Sequence, residues 1–493
     1  MASEVTSAGR NQPLPGASRE QLAADAPELL PLLDACTSIL IYTQSVPTFH
    51  DVWLGPNCRY STYPRAIVCP RSDTEVARLL RLSSGLGPES PTGTRLPITV
   101  RGGAHDSFGR STLADGIVLD TRHLDTIALA ADKKTVRVGA GVLGGELLDF
   151  LAPHGVFAPA GYCSTVGYTG WCLGGGFGVY TASYGAGAEG VVGARLVTAD
   201  GRVVDTDHGD DPELLWGLRG AGNGNFGVVV EVRAKVYPEP KILGGYVGYP
   251  NDEAERLLEL FGTCYENQIP DEFNGDIIWA PIPDIGPVVS FMFVWTPKDG
   301  RDLRAGWAYL EKLKGLGTVV QNTVEETTPA GFLETLDGTF KDFTGAPFYV
   351  LSPTVARHTR EFGHIIASRP VLLNGHVVGG THFVHGVFEK HNPNVVLPNT
   401  RHITITLFGA AEKHHDNGGP EMAAVRDWVD GFVADVEAAG IALPPSYVSF
   451  SPSDIDIDAF YGEENADRLR ALKARYDPSN LFALAYPSIK PRA

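Results

Sequence analysis

The chain has 493 residues, which is enough for two or three domains of about 150 residues each. Its 40 basic and 58 acidic side chains give a formal net charge of −18, and this balance disfavours a nucleic-acid surface or an anionic membrane face. The 57 glycines follow no collagen repeat, so they indicate many tight backbone turns.

The sequence contains no apolar run of about 18 residues, the length that a membrane-spanning helix requires. Its first residues lack the basic stretch and apolar core of a secretory signal, so we expect a soluble, cytoplasmic protein without a membrane partner. Six cysteines without a C-x-x-C pair favour reduced, buried thiols over a disulfide framework or structural zinc, and we expect no metal. The first ~16 residues are predicted to form a frayed tail.

Short strands dominate the first half of the sequence. Up to Tyr237, β-branched runs alternate with glycine-rich turns and helical patches, and the clearest predicted strands cover 98–100, 116–120 and 135–138. This mixture indicates an α+β arrangement.

The pattern changes after Tyr237. A helical apolar stripe covers 254–261, and apolar and polar residues alternate over 403–407 as in a half-buried strand. A helix ending before Pro478 is predicted near the C-terminus, followed by an apolar segment that returns to a core. The sequence therefore predicts two domains, 1–237 together with 451–493, and 238–450.

Two glycine-rich stretches match G-x-G-x-x-G. The first, 139–144, follows a predicted strand and opens a helix, but no acidic residue for a ribose occurs from 150 to 187, so a tight turn is favoured over a Rossmann site. The second, 222–227, runs into a strand-like segment and offers no helix N-terminus to a phosphate. Neither stretch predicts a dinucleotide site of the Rossmann type.

Two further loops point to a large ligand. In 101–109, small residues beside Arg101 and His105 fit either an anion-binding nest or an ordinary glycine-rich turn with an exposed histidine. The glycines of 161–178 indicate backbone lying against a large flat or polyanionic molecule, and this favours the nest. The chain lacks G-x-S-x-G, H-E-x-x-H and Walker A motifs, so a hydrolase has no support.

Seven motifs occur in order along the chain: RGGAHDSFGRS, GIVLD, VRVGAGV, GYCSTVGYTGWCLGGGFG, VTADGRVV, DPELLWGLRGAGNGNFGVVVEV and FYGEENADRLRALKARYDPSNLFALAYPSI. In this order they resemble the berberine-bridge-enzyme-like flavoprotein oxidases of the vanillyl-alcohol-oxidase/PCMH-type FAD family. The resemblance covers 60–237 and 445–490, while the middle of the chain diverges. It implies a two-domain PCMH-type FAD-binding fold with a separate α+β substrate domain, an antiparallel sheet covered by helices.

The resemblance also implies FAD as the cofactor. His105 matches the position where the family attaches the flavin 8α-methyl group, and Cys163 matches that of a second, thioether link to flavin C6, so a bicovalent FAD is implied. Val166 matches a position where a small side chain admits dioxygen, which favours an oxidase over a dehydrogenase. The other implied cofactor contacts are Arg101, Gly102, Gly103, Ala104, Asp106, Ser107, Gly161, Gly167, Gly170, Gly174, Gly175, Gly176, Gly178, Asn225, Phe226, Gly227, Asn465 and Asn480.

One departure from the family concerns the catalytic base. The family often carries Tyr-x-Asn-Tyr with its second tyrosine as base, and here the corresponding residues run from Tyr447 to Phe450. A phenylalanine accepts no proton, so we predict Tyr447 or Tyr461 as the catalytic residue, unless the reaction needs no base. His382 and His385 are more typical of ordinary strand or helix residues than of catalysts.

The sequence therefore predicts an FAD-linked oxidase. It would take a hydride from a C–H next to oxygen or nitrogen, or from a similarly activated carbon, of a small secondary-metabolite or sugar-like molecule, and give hydrogen peroxide from dioxygen. A flavin-containing cyclase or dehydrogenase without peroxide output is the alternative, and a binding protein that lost its cofactor is a third. Most aromatic residues of 238–450 are interpreted as core.

Overall fold

A computed structural model gives the fold of this chain. The structure describes residues 4–6, 12–53, 55, 57–60, 62–86, 90, 93–206, 211–264, 268–340, 345–369, 376–382, 384–390, 392–397, 403–411, 419–451 and 455–491. Its α-helices are α1 Arg19–Asp25, α2 Leu30–Ala35, α3 Phe49–Trp53, α4 Asp73–Ser84, α5 Gly144–Leu151, α6 Tyr168–Leu173, α7 Thr181–Tyr184, α8 Gly187–Gly190, α9 Pro212–Ala221, α10 Ala254–Cys264, α11 Arg304–Lys314, α12 Pro329–Phe340, α13 Arg360–Ser368, α14 Gly419–Ala438, α15 Ile457–Tyr461 and α16 Glu463–Tyr476.

A small sheet near the N-terminus has the strand order β2-β3-β5-β4. Strands β3, β5 and β4 are parallel, and their register pairs Arg101 with Asp120 at the ends of β4 and β5. Parallel strands end at the same edge of a sheet, so the loop that follows β4 begins beside the end of β5. The strands are β2 Leu40–Tyr42, β3 Ala66–Cys69, β4 Ile98–Arg101 and β5 Ile117–Asp120.

A second, antiparallel sheet follows, with the order β1-β6-β7-β11-β9-β10. Its edge strand β1 pairs with β6, so the expectation of a frayed N-terminal tail is wrong for Glu4–Thr6, where ladder hydrogen bonds hold the backbone. Strands β8 Val156–Phe157 and β12 Tyr237–Pro238 pair with each other. The sheet contains β1 Glu4–Thr6, β6 Thr126–Leu129, β7 Thr135–Gly139, β9 Val191–Val197, β10 Val203–Asp205 and β11 Val228–Lys235.

The third sheet is large and antiparallel, and it is built from 242–443. Helices α10, α11, α13 and α14 bury one of its faces in an apolar core, and this arrangement confirms the expected α+β fold with a helix-covered antiparallel sheet. Its strands are β13 Ile242–Pro250, β14 Asp276–Ile282, β15 Gly286–Trp295, β16 Gln321–Asn322, β17 Glu325–Thr327, β18 Phe348–Leu351, β19 Thr354–Val355, β20 His376–His382, β21 Ile403–Ala410 and β22 Ala442–Leu443.

Side chains of β21 alternate between the two faces of this sheet. Ile403, Ile405 and Leu407 pack into the helix-covered core, whereas Thr406 and Phe408 point to the opposite face. The alternation predicted over 403–407 is therefore confirmed, and the second face is left to line a cavity.

The C-terminal segment packs against the first half of the chain. Residues of α15 and α16 share a core with β6, β7, β9, β11 and α9, and Leu481 and Phe482 enter the core of the small sheet. The helix predicted to end before Pro478 is confirmed as α16. Within the described residues, no helix has the length and apolar character needed to cross a bilayer.

Candidate active site

A cavity of about 700 Å³ lies between the glycine-rich loops and the uncovered face of the large sheet. Its lining includes 102–107 after β4, 161–167 before α6, side chains of β14, β20 and β21, and 484–486 from the C-terminal segment. The volume lies within the range of about 300–1,000 Å³ that is usual for ligand pockets. Both loops that the sequence analysis interpreted as contacts of a large ligand, 101–109 and 161–178, contribute residues to this cavity.

The two glycine-rich loops touch through their backbones. A Cβ added to Gly167 would lie 2.6 Å from the Gly103 nitrogen, and a Cβ on Gly103 would overlap the Gly167 backbone, so both positions need glycine. Next to Gly103, Ala104 adopts φ 61°, a left-handed conformation that turns the loop. Asp106 fixes the far end of the turn by accepting a hydrogen bond from the Arg110 Nε at 2.6 Å.

His105 and Cys163, the predicted attachment residues, both line the cavity. The His105 Nε2 lies 2.8 Å from the Thr165 hydroxyl, which links the two loops a second time. The Ser164 N–H donates to the Asp337 carboxylate at 2.9 Å, so helix α12 holds the loop that carries Cys163. Burial and the nearby Asp337 charge raise the pKa of the Cys163 thiol to about 12.

Many of the implied cofactor contacts share this lining. They are Gly102, Gly103, Ala104, Asp106, Ser107, Gly161, Val166, Gly167, Gly170 and Gly227. The structure places the other predicted contacts outside the cavity lining: Arg101, Gly174, Gly175, Gly176, Gly178, Asn225, Phe226, Asn465 and Asn480.

Arg101 and Asn225 have partners that account for them structurally. The buried Arg101 guanidinium pairs with Asp120 at 2.7 Å and donates to the Val52 and Trp53 carbonyls, so it ties the small sheet to α3. The Asn225 amide donates to the Pro487 carbonyl at 2.9 Å and so anchors the C-terminal segment. Neither side chain turns its polar group to the cavity.

The remaining residues outside the lining shape turns or cores. Gly175 and Gly176 have φ values of 111° and 76°, and Gly178 packs against the Ala160 backbone. The Asn465 amide donates to a carbonyl one helical turn earlier at 3.1 Å, and Asn480 adopts φ 50° in the turn after α16. Gly174 lies against Ser449, and Phe226 is fully buried.

The two predicted catalytic tyrosines differ in place. Tyr447 lines the cavity, stacks on Phe177 with ring centroids 4.1 Å apart, and accepts a hydrogen bond from the Phe177 N–H at 3.4 Å. Tyr461 lies outside the lining in the apolar core and donates to the Gly220 carbonyl at 3.0 Å. Burial raises the pKa of both hydroxyls above the ordinary value, so both stay protonated at neutral pH and neither is ready to accept a proton.

A polar trio of Tyr162, Asp276 and His382, which the sequence reasoning missed, lines the cavity. The Tyr162 hydroxyl donates to the Asp276 Oδ2 at 2.5 Å, and the His382 Nδ1 lies 2.9 Å from the same oxygen. The Tyr162 oxygen and the His382 Nδ1 are 3.0 Å apart. Antiparallel pairing of Ile278 with Gly380 brings Asp276 and His382 opposite each other on β14 and β20.

A phenylalanine wall of Phe348, Phe408 and Phe450 forms an apolar part of the same lining. Phe408 lies between the other two, with ring centroids at 6.1 Å from Phe348 and 5.7 Å from Phe450. The Phe450 ring is also nearly parallel to the His382 imidazole, at 6.4 Å and 14°. Trp279 and Phe291, by contrast, are buried in the helix-covered core, as expected for most aromatics of 238–450.

Comparison with known proteins gives the family. Residues 64–207 match the profile of the family described as FAD binding domain, and residues 446–487 match that described as berberine and berberine like. The FAD-linked oxidoreductase aurO of Gibberella zeae is 33% identical over 476 residues, which cover 94% of this chain and 88% of that protein. This chain belongs to the berberine-bridge-enzyme-like FAD-linked oxidoreductases.

Other members of this oxidoreductase family align with part of the chain or share its fold. The (R)-6-hydroxynicotine oxidase of Paenarthrobacter nicotinovorans is 36% identical over 232 residues, 46% of this chain and 48% of that protein. The solved 6-hydroxy-D-nicotine oxidase of Arthrobacter nicotinovorans superposes with a TM-score of 0.81 at 24% identity, over 92% of this chain and 98% of the other. The solved berberine bridge enzyme of Eschscholzia californica superposes with a TM-score of 0.78 at 19% identity, over 94% of this chain and 99% of the other.

The cavity of this FAD-linked oxidoreductase fits the cofactor of its family. The hydroxyls of Thr169 and Thr406 are buried in the lining without a hydrogen-bond partner among the described residues, so both are available to bind a ligand. A Cβ on Gly170 would meet no protein atom within 4 Å and would project into open space. The matches confirm the expected family, fold, enzyme class and FAD cofactor. That residues of 102–107 and 161–170 hold the cofactor stays a prediction, and both stretches line the cavity.

Proposed function

We propose that this FAD-linked oxidoreductase is an oxidase. It removes a hydride from a C–H bond next to oxygen or nitrogen of a small molecule, and the electrons reach dioxygen to give hydrogen peroxide. The proposal is carried by one observation: a single cavity joins His105 and Cys163 to the polar trio and the phenylalanine wall. Bound FAD supplies the acceptor of the hydride and the point of re-oxidation, while the protein orients the substrate.

The attachment of FAD is bicovalent in this proposal, through His105 and Cys163. Both side chains line one cavity from two loops that are fixed to each other by the Gly103 and Gly167 contact and by the hydrogen-bonding distance between His105 and Thr165. A doubly attached cofactor keeps its position in a wide pocket without being enclosed by side chains. Val166, which lines the same cavity, supports access of dioxygen because its side chain is small.

The substrate in this proposal is a hydroxylated or aminated aromatic molecule rather than a sugar. The phenylalanine wall offers ring edges and faces to a planar molecule, and the polar trio offers hydrogen bonds at one end of it. A sugar would bring hydroxyls against the phenylalanine wall, where they find no partner. The relative named for (R)-6-hydroxynicotine agrees with this substrate class.

The test uses the purified holoenzyme and four probes: 4-hydroxybenzyl alcohol, (R)-6-hydroxynicotine, (S)-reticuline and a chitooligosaccharide. We expect an aromatic probe to bleach the flavin absorbance without air and to give peroxide equimolar with product in air, and the chitooligosaccharide to do neither. Flavin reduction without peroxide favours a dehydrogenase, and conversion without net reduction favours a cyclase. A protein that no aromatic probe reduces contradicts the proposed substrate class.

A further inference from the structure

The proposed reaction leaves a proton that the protein has to accept. When a hydride departs from a C–H that bears a hydroxyl, the O–H proton must leave as the C=O bond forms, and a primary or secondary amine likewise loses its N–H proton to give a neutral imine. Phe450 carries no acceptor, and the hydroxyls of Tyr447 and Tyr461 have pKa values raised by burial. Burial and the adjacent Asp276 charge also hold the Tyr162 pKa well above its usual value, so this hydroxyl stays a donor.

The arrangement of Asp276 and His382 fits a base. Both side chains are largely buried, with exposed fractions of 8% and 16%, and their ring nitrogen and carboxylate oxygen are 2.9 Å apart. A carboxylate at Nδ1 favours the tautomer with the proton on Nδ1, and that tautomer keeps the lone pair on Nε2. The Tyr162 hydroxyl donates to the same oxygen and lies 3.0 Å from the imidazole nitrogen, so it holds the carboxylate beside the ring.

We propose that Asp276 and His382 form the catalytic base of this enzyme, with His382 Nε2 accepting the substrate proton and Asp276 holding the imidazole in position. The inference rests on the proposed function. The Phe450 ring lies nearly parallel to the imidazole, with ring centroids 6.4 Å apart, so the phenylalanine at the position of the family's tyrosine flanks the histidine that takes over its role.

The step balances in atoms and electrons. The substrate C–H hydrogen would leave with the bonding electron pair as a hydride to bound FAD, the O–H or N–H proton would pass to Nε2, and a C=O or C=N bond would form. Dioxygen would then take the two electrons and two protons, one that arrived with the hydride and one from His382, and leave as hydrogen peroxide.

Two ionisable groups near this pair keep one protonation state around pH 7. Burial lowers the pKa of His385 to about 4, so this histidine stays neutral near pH 7. Burial and Asp337 raise the pKa of Cys163 to about 12, so the thiol stays protonated. The ionisable groups that line the cavity with His382 are Asp276 on β14, Tyr162, Cys163, His105, Asp106 and Arg110 from the glycine-rich loops and the turn after the first of them, Asp337 on α12, Tyr447 and Tyr486. His385, which follows β20, lies outside this lining but is close enough to Asp276 for the carboxylate charge to act on it.

The first experiment reads the tautomer and needs no substrate. Holoenzyme labelled with ¹⁵N-histidine gives the His382 signals, which are assigned by their loss in His382→Gln. We expect neutral His382 to carry its proton on Nδ1, and we expect Asp276→Asn to shift the tautomer balance or the titration of this ring. A neutral His382 protonated on Nε2, or one unaffected by Asp276→Asn, overturns the proposal.

The second experiment measures flavin reduction without air, using the fastest aromatic probe. We expect His382→Gln to slow reduction by about 10²–10⁴-fold and to remove the fall in rate at acid pH, because an unprotonated base is needed. Added imidazole should restore part of the rate in His382→Ala. His364→Gln is the matched control. The His364 Nδ1 lies 3.2 Å from the Glu255 carboxylate, and neither residue lines the cavity.

The outcomes separate this inference from the proposed function. If the aromatic probes leave wild-type flavin oxidised, the proposed function fails and the tautomer experiment still decides on the pair. If they reduce wild type and His382→Gln at the same rate and pH profile, the catalytic base is wrong while the oxidase stands. His382→Asn serves where His382→Gln does not fold, and the retained flavin spectrum reports folding in both.

Discussion

At the scale of single residues, His105 and Cys163 make the most direct prediction. We expect acid-denatured wild-type protein to carry the mass of one FAD, and we expect His105→Ala and Cys163→Ala each to retain it, because either bond alone holds the cofactor. The double variant should release FAD on denaturation. Intact-mass spectrometry measures all four proteins.

The matched control for this experiment is Cys172→Ala, because Cys172 is a buried thiol on α6 that lies outside the cavity lining. It should keep the added mass. A wild type without added mass contradicts both bonds, and loss of the mass in only one single variant reduces the attachment to one residue.

The chemistry of a residue alone does not show which side chains lie next to it. Arg101 was an attractive anion ligand in the sequence, yet parallel pairing of β4 with β5 places it beside Asp120, and a buried guanidinium stays with its carboxylate. His382 looked like an ordinary strand residue because its partner Asp276 lies 106 residues away in sequence. Charge and hydrogen-bond partners of this kind depend on tertiary contacts.

At the scale of elements, the contact between the two glycine-rich loops is open to a test. Gly103→Ala places a methyl group against the Gly167 backbone, and neither side can yield by rotating a side chain. We expect this change to destabilise the protein by about 1–3 kcal/mol and to lower FAD content. Thermal unfolding and the flavin-to-protein absorbance ratio measure the two effects.

Gly102→Ala is the matched control, because a Cβ there has its nearest contact at 3.5 Å, an ordinary van der Waals distance. It should keep the wild-type unfolding temperature. Equal loss of stability in both variants would mean that the loop tolerates no side chain for reasons other than the contact with Gly167.

Elements with local signals were predictable. The strands at 98–100 and 135–138, the helical stripe over 254–261 and the last helix follow from apolar spacing, and the structure has β4, β7, α10 and α16 there. The polar trio was not predictable, because it needs the register of β14 against β20, and pairing between strands so distant in sequence leaves no local pattern. The domain boundaries at 237 and 451 stay a prediction.

At the scale of the whole molecule, Asn225 joins the C-terminal segment to the first half of the chain. Its amide donates to the Pro487 carbonyl and accepts from the Ile489 N–H at 3.4 Å. Asn225→Ala leaves these buried backbone groups unsatisfied, so we expect a loss of about 1–3 kcal/mol in the free energy of unfolding. Urea denaturation measures it.

The control for this prediction is Asn465→Ala, since the half-buried Asn465 amide donates to the carbonyl of Tyr461, four residues earlier at the end of α15. It should cost less than Asn225→Ala. If both variants lose the same free energy of unfolding, the hydrogen bonds between Asn225 and the C-terminal segment stabilise the protein no more than a local hydrogen bond does.

The C-terminal segment that lines the cavity has a consequence for the order of events in the cell. A ribosome makes a chain from its N-terminus, so the loops at 102–107 and 161–170 emerge long before Leu484 and Tyr486, which complete the lining. Domains fold as they emerge, and the first glycine-rich loops can contact while synthesis continues. The flavin pocket, however, gains its last wall only after nearly the whole described chain has been translated, so we expect cofactor capture to finish after synthesis rather than during it.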